Sequence, residues 1–201
     1  DAVYAKVKQM TDIPFDFCEL PVANWDDCLT PWATDPQMKG RSFTGGGKQL
    51  LEKIGENVLS LIDEKLPNHR EIYIAGYSLA GLFSLWTLYE CDRFDGAVCC
   101  SGSLWYPGWS EYMEQTSLQK KSDVYLSLGK KEPHTKHPLM KKSGEMMALQ
   151  YERLMKDLHA GKITFEWQEG GHFDHVKDRI AVGIYWILTE TGRDRSKYEK
   201  S

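Results

Sequence analysis

The sequence predicts an α/β fold, a mostly parallel sheet with helices on both faces, and three observations carry that expectation. Strand-length apolar segments rich in β-branched and aromatic residues alternate with segments of 3.6-residue periodicity. Most of the strand segments are continuous rather than alternating apolar runs, as strands buried on both faces are. The 201 residues, 41% of them hydrophobic, suffice for one sizeable core.

Taken in order, the strand segments are 15–22, 71–76, 96–101, 123–129 and 163–169, and the helical segments are 47–66, 79–91, 141–160 and 175–191. Val3, Tyr4, Val7 and Met10 add a helix-like pattern at the start. The chain opens on Asp1 rather than Met and reads as processed or incomplete. It is expected to form a single domain over 1–201, with long connections at 23–46 and 102–122 and a polar tail at 192–201.

Lys and Arg number 25 against 29 Asp and Glu, a net charge of −4, so no cationic excess is available to neutralise phosphates and nucleic acid is not an expected partner. Mean hydropathy is −0.50, and charges, Gly or Pro interrupt every apolar run well short of the ~18 residues of a membrane span. Five cysteines, an odd number set mostly in or beside apolar segments, point to reduced thiols and a cytoplasmic location.

The chemistry gathers at one turn. Glu71-Ile72-Tyr73-Ile74-Ala75 runs directly into Gly76-Tyr77-Ser78-Leu79-Ala80-Gly81 and then the apolar helix beginning Leu82-Phe83. Strand, sharp turn and helix in succession is the setting of a nucleophile elbow, and small residues two before and two after the serine let strand and helix approach. Gly76 and Ala80 hold those positions. A serine after a strand can instead be a plain turn or N-cap residue.

A serine hydroxyl needs a base to take its proton and a carboxylate to orient that base. Glu132 follows the fourth strand segment in Gly129-Lys130-Lys131-Glu132, and His172 follows the fifth in Gly170-Gly171-His172-Phe173. Ser78, Glu132, His172 is the nucleophile, acid, histidine order of α/β-hydrolases, each at a strand end. Asp123 and Asp174 are less well placed acids, and His175 is the alternative base, better suited to capping a helix.

Four motifs in order then resemble the esterase family of the α/β-hydrolase superfamily that includes esterase D and the siderophore esterases. They are Gly76-Tyr77-Ser78-Leu79-Ala80-Gly81-Leu82-Phe83, Ser101-Gly102-Ser103-Leu104-Trp105-Tyr106, Ser127-Leu128-Gly129-Lys130-Lys131-Glu132 and Glu169-Gly170-Gly171-His172-Phe173. The likeness runs from about Asn24 to the last helix. It implies a hydrolase acting on esters, with Ser78, Glu132 and His172 in the roles above. In that family the nucleophile follows the fifth strand, whereas Ser78 follows the second strand segment here, so N-terminal strands are expected to be missing from this chain. The Leu79 N–H is the expected oxyanion donor. The second donor is expected upstream of Asp1; alternatively the loop Asn24-Trp25-Asp26-Asp27 lines the site, as a similar family segment does, without an oxyanion role assigned to it.

Two other patterns suggest different chemistry. Gly45-Gly46-Gly47-Lys48-Gln49 before a helix suggests an anion-binding loop, but Ser42 and Gln49 stand where a Walker loop needs Gly and Ser or Thr. His134 with His137 and His172 with His175 could offer nitrogen ligands to Zn²⁺, outside any clear metal motif.

The aromatics Trp25, Trp32, Trp105, Tyr106 and Trp109 fall in the two long connections and either shape a substrate pocket or pack the loops onto the core. Trp25, Tyr77, Trp105 and Tyr106 are the candidate substrate-binding residues. The expected protein is a serine carboxylesterase with no cofactor and no metal, whose partner is a small-molecule ester. A non-catalytic binding protein on a hydrolase fold and, less favoured, a metal-dependent hydrolase are the alternatives. Acyl group, alcohol group and oligomeric state are left open by the sequence.

Overall fold

The computed structural model describes residues 2–35, 41–68 and 71–191. The predicted tail at 192–201 and part of the 23–46 connection lie outside the described residues. Among those residues no helix is long and apolar enough to cross a membrane.

The elements in order are α1 (Ala2–Met10), α2 (Trp25–Cys28), α3 (Gly47–Lys53), a π-helical stretch (Ile54–Leu59), α4 (Ser60–Lys65), β1 (Tyr73–Tyr77), α5 (Leu79–Glu90), β2 (Gly96–Cys100), α6 (Trp109–Gln115), β3 (Ser122–Gly129), α7 (Ser143–Leu154), β4 (Ala160–Gln168) and α8 (Val176–Glu190). The four strands form one sheet in the order β1-β2-β3-β4, and every neighbouring pair is parallel. All four C-terminal ends therefore lie on one edge of the sheet.

Strand periodicity sorts the core into two layers. Ala97, Cys99, Val124, Leu126 and Leu128 face the cluster built with α5 and α7, while Val98, Cys100 and Tyr125 face the cluster built with α1 and α8. Helices thus cover both faces, and β2 and β3 are buried along their full length. Helix α8 lies close to the sheet because a Cβ on Gly183 would strike Tyr125 Cδ1 at 2.8 Å as well as Val98.

The 15–22 segment is a correction to the sequence reading, since it has no regular secondary structure and belongs to no strand. Pro14 precedes it and Pro21 lies near its end, and neither brings an N–H for a ladder. Its alternation is real: Ile13, Phe15 and Phe17 turn inward while Asp16 and Cys18 face solvent. The aromatic face packs on Tyr4 of α1, with ring centroids 5.4 and 5.9 Å away, and on the α8 layer. A period of two reports one-sided burial, which a segment outside any sheet satisfies as well as a strand.

The segment expected as one helix over 47–66 is interrupted by the π-helical stretch, where Ser60 Oγ donates to the Gly55 carbonyl at 3.0 Å. The 102–122 connection contains the short helix α6, whose Trp109 is fully buried. Loop glycines 45–47 turn their N–H groups inward: Gly45 donates to Thr30 Oγ1, Gly46 to the Asp27 carbonyl and Gly47 to the Thr30 carbonyl. Those donors fasten the loop rather than face an anion.

Cysteine reactivity follows burial. Cys99 and Cys100 are buried while Cys18 is exposed, and burial pushes the Cys100 thiol up to about 12. Iodoacetamide at mildly alkaline pH is expected to modify Cys18 in the folded chain and to reach Cys99 and Cys100 only on unfolding. Peptide mapping after timed alkylation checks this.

Candidate active site

Each strand delivers one polar side chain to the common edge. Ser78 follows β1 directly, Ser101 follows β2 directly, Glu132 lies in a 3₁₀ turn just beyond β3, and His172 lies beyond β4. Two of these sit at positive φ, Ser78 at 58° and Ser101 at 46°, a region that side-chain-bearing residues seldom adopt. The strain at Ser78 is held by its neighbours: its N–H donates to the Cys100 carbonyl at 3.1 Å, and its carbonyl accepts from the N–H groups of Leu82 and Ser103, each at 3.0 Å.

Gly76 makes the turn possible, because a Cβ there would fall on the Ala80 carbonyl. Backbone cannot swing aside as a flexible side chain can. Gly76→Ala is therefore expected to destabilise the fold by about 1–3 kcal/mol, as overpacking does. Urea unfolding of the variant beside the parent chain measures it.

Ser78 Oγ stands 3.1 Å from His172 Nε2, and His172 Nδ1 stands 2.8 Å from Glu132 Oε2. The ring is thus engaged at both nitrogens. Glu132 Oε1 accepts three further hydrogen bonds, from Ser101 Oγ at 2.6 Å, the Gly129 N–H at 2.8 Å and Arg179 Nη1 at 3.0 Å. Burial works against the charge on Glu132, yet the donors on both its oxygens, His172 first, hold its carboxyl below the ordinary carboxylate range. A carboxylate so depressed adds stability above its ordinary range, and the contribution is lost as pH falls through its folded-state value.

Leu79 is the first residue of α5, so its N–H belongs to the first turn, whose amides lack intrahelical acceptors. Ser103 Oγ lies 3.4 Å from Ser78 Oγ. In the 24–27 segment the Asp26 carboxylate pairs with Arg41, the Asp27 carboxylate accepts from Thr44 and the Asp27 main-chain carbonyl accepts from the Gly46 N–H, so the segment fastens the 41–46 stretch.

A cavity of about 200 Å³ opens against His172, Glu132 and Ser101, with apolar walls from Trp105, Met140 and Phe173 and a polar rim from Lys131, His134 and Thr135. Phe173 is 87% exposed and stands edge-on to the His172 ring at 5.1 Å. Of the four aromatics singled out for substrate, the structure brings only Trp105 to this cavity. Tyr106 is buried, donating its hydroxyl to the Trp32 carbonyl and packing on Phe43. Tyr77 is also buried, its hydroxyl donating to the His172 carbonyl at 2.7 Å. Trp25 is half exposed at the start of α2, away from the cavity lining. Trp32 and Trp109 stack on each other at 6.4 Å and pack the two long connections together.

The histidine pairs gather no metal-type cluster: among the described residues no group of three or more His, Cys, Asp or Glu side chains is arranged to hold an ion. His175 stands just before α8 at a φ of 56°, makes no side-chain bond to the helix's first amides and lies 3.8 Å from Asp178.

Two residues of the site escaped the sequence reading. Ser101 stood in a recognised motif, directly after an apolar strand, which is the same signal that marks Ser78. Arg179 gave a fainter one: it shares an inward stripe of α8 with Gly183 and Ile187, four and eight residues on. An arginine in such a stripe must have a partner nearby.

Comparison with known proteins bears on this arrangement. Residues 30–172 match the family described as Putative esterase. A comparison with curated proteins gave no match. Among solved structures, the siderophore hydrolase EstA from Aspergillus nidulans superimposes with a TM-score of 0.65 at 19% identity, over 82% of this chain and 65% of that one. The IroE-like serine hydrolase from Shewanella oneidensis gives 0.68 at 17% identity, over 86% and 59%. The enterobactin esterase FES from Shigella flexneri gives 0.57 at 19% identity, over 73% and 40%. These likenesses show a shared fold, and the chain spans less than two thirds of the length of each of the three.

Proposed function

Since the chain belongs to the Putative esterase family, we propose that it is a serine hydrolase, a carboxylesterase that works through Ser78, His172 and Glu132 by way of an acyl-enzyme. One observation carries the reading: Ser78 Oγ lies 3.1 Å from a ring nitrogen of His172 whose other nitrogen lies 2.8 Å from a buried carboxylate. That is the geometry a nucleophile, its base and the group orienting the base require.

Ser78 Oγ attacks the ester carbonyl carbon while its proton passes to His172 Nε2. Glu132 Oε2 holds the Nδ1–H and stabilises the imidazolium that forms. The Leu79 N–H, backed by the positive end of the α5 dipole, meets the oxyanion. As the tetrahedral species collapses, the alcohol leaves with the proton from Nε2 and Ser78 remains acylated. Water then repeats the sequence, with His172 again as base, and the acid departs.

The small cavity beside His172 supports a short acyl or aryl group on one side of the scissile bond, with Trp105 and Phe173 as its apolar walls. Neighbours named as siderophore hydrolases and an enterobactin esterase make siderophore esters the second substrate class to test. Hydrolysis of p-nitrophenyl esters from acetate to octanoate, run beside a siderophore ester, tests the reading. The rate is expected to be highest for the short acyl groups and to require Ser78. A folded chain that hydrolyses none of them contradicts it.

A further inference from the structure

We propose that Arg179 is the positioning residue of this site, a buried cation that keeps Glu132 ionised and ties the ends of all four strands around Ser78 and His172. The inference rests on the serine hydrolase reading but concerns a residue outside the Ser78–His172–Glu132 chain.

Arg179 is 2% exposed and its guanidinium reaches every strand end. Nη1 donates to Tyr77 OH at the end of β1 (3.0 Å), to Ser101 Oγ after β2 (3.1 Å) and to Glu132 Oε1 after β3 (3.0 Å), and Nη2 donates to the Glu169 carbonyl after β4 (2.6 Å). Tyr77 relays the tie, since its hydroxyl donates to the His172 carbonyl at 2.7 Å. Arg179 thus fixes both the acid and the loop that carries the base. The planar fork suits this task, because two rigid nitrogens can serve several acceptors in fixed directions, which a single ammonium on a flexible stem cannot.

Its charge matters as much as its shape. Glu132 is withdrawn from water with a side chain 5% exposed, and an unpaired carboxylate in such a place would hold its proton. A protonated Glu132 could no longer accept from His172 Nδ1 as an anion, and the imidazolium would lose its counter-charge.

Other charges face this cluster less closely. Cys100 of β2 donates its thiol to the Arg179 carbonyl. Lys130 pairs with the Glu169 carboxylate, Lys131 and His134 stand at the cavity rim, and Tyr125 of β3 donates to Glu166 of β4. Asp174 accepts the Gly171 N–H, and Asp178 pairs with Lys6 of α1 and lies 3.8 Å from His175. Among the described residues Arg179 is the permanently charged cation that touches Glu132, beside the His172 ring.

The test follows the rate of Ser78 labelling by a fluorophosphonate across about pH 4 to 9 in the parent chain, Arg179→Met and Arg179→Lys. The acidic limb of the profile is expected to move up by about one pH unit or more in Arg179→Met, the size of effect one close charge exerts. Arg179→Lys restores the limb while staying slower throughout, because the charge returns without the fork. Should Arg179→Met not fold, Arg179→Gln, which can still donate to Oε1, carries the same comparison. A neutral variant that is slower at every pH with the limb unmoved overturns the proposal, since that is what mere packing predicts. A parent chain that is not labelled at Ser78 overturns the hydrolase reading itself, and the two failures are therefore distinct.

Discussion

Ser78→Ala is expected to lower ester hydrolysis by about 10⁵- to 10⁶-fold, leaving only what binding and the oxyanion donor supply, as loss of the nucleophile does in serine hydrolases generally. The fold should survive it. The backbone at Ser78 already stands at a φ of 58°, and the elbow is held by main-chain bonds to Cys100, Leu82 and Ser103 that an alanine keeps. Only the hydroxyl contacts to His172 and Ser103 disappear, about 1 kcal/mol of stability at most. Steady-state hydrolysis of a p-nitrophenyl ester and a thermal melt, run on the same preparation, separate the two effects. Loss of rate together with loss of fold would leave the chemistry unassigned to Ser78.

Glu132→Gln carries the second large effect, and it divides differently. The amide is almost the same size, so the side chain still fills its place, but it cannot hold His172 in the required tautomer as an anion does. A fall of about 10⁴-fold in turnover is expected from that cause. Stability falls as well, by about 3–5 kcal/mol, because Arg179 is left as a buried charge without its counter-ion. Pairing the change with Arg179→Met should recover part of the stability and none of the activity, since it removes the uncompensated charge but not the fault at His172. Chemical denaturation and kinetics of the two single variants and the double variant measure both quantities.

Much of the fold was legible because burial writes itself into local pattern. Val124, Leu126 and Leu128 alternate with Tyr125 between two helix layers, and the resulting continuous apolar run is what marked β3 as internal. The 15–22 segment carried an alternating pattern instead and joined no sheet, because inward Phe15 and Phe17 need only α1 and α8 beneath them. Sequence pattern registers what a residue packs on, not what its backbone bonds to.

At the site, chain order was the readable part. Ser78, Glu132 and His172 each follow a strand, and parallel strands bring such turns to one edge whatever lies between them. Tyr106 was expected at the pocket from its place in a long connection, and Tyr77 was expected to meet substrate too, yet each is buried with its hydroxyl on a main-chain carbonyl. The inward stripe of α8 could mark Arg179 as a buried arginine, but not what it meets. Its partners come from the ends of four strands, three of them 47 or more residues away, and no local spacing encodes their meeting.

The central claim is that His172 activates Ser78, and labelling the intact chain with a fluorophosphonate at neutral pH, followed by peptide mass mapping, tests it most directly. A single adduct on the peptide that carries Ser78, absent after His172→Ala, is the predicted result. A folded chain that carries no adduct, or carries one at another residue, would contradict the account and favour a binding protein on a hydrolase fold.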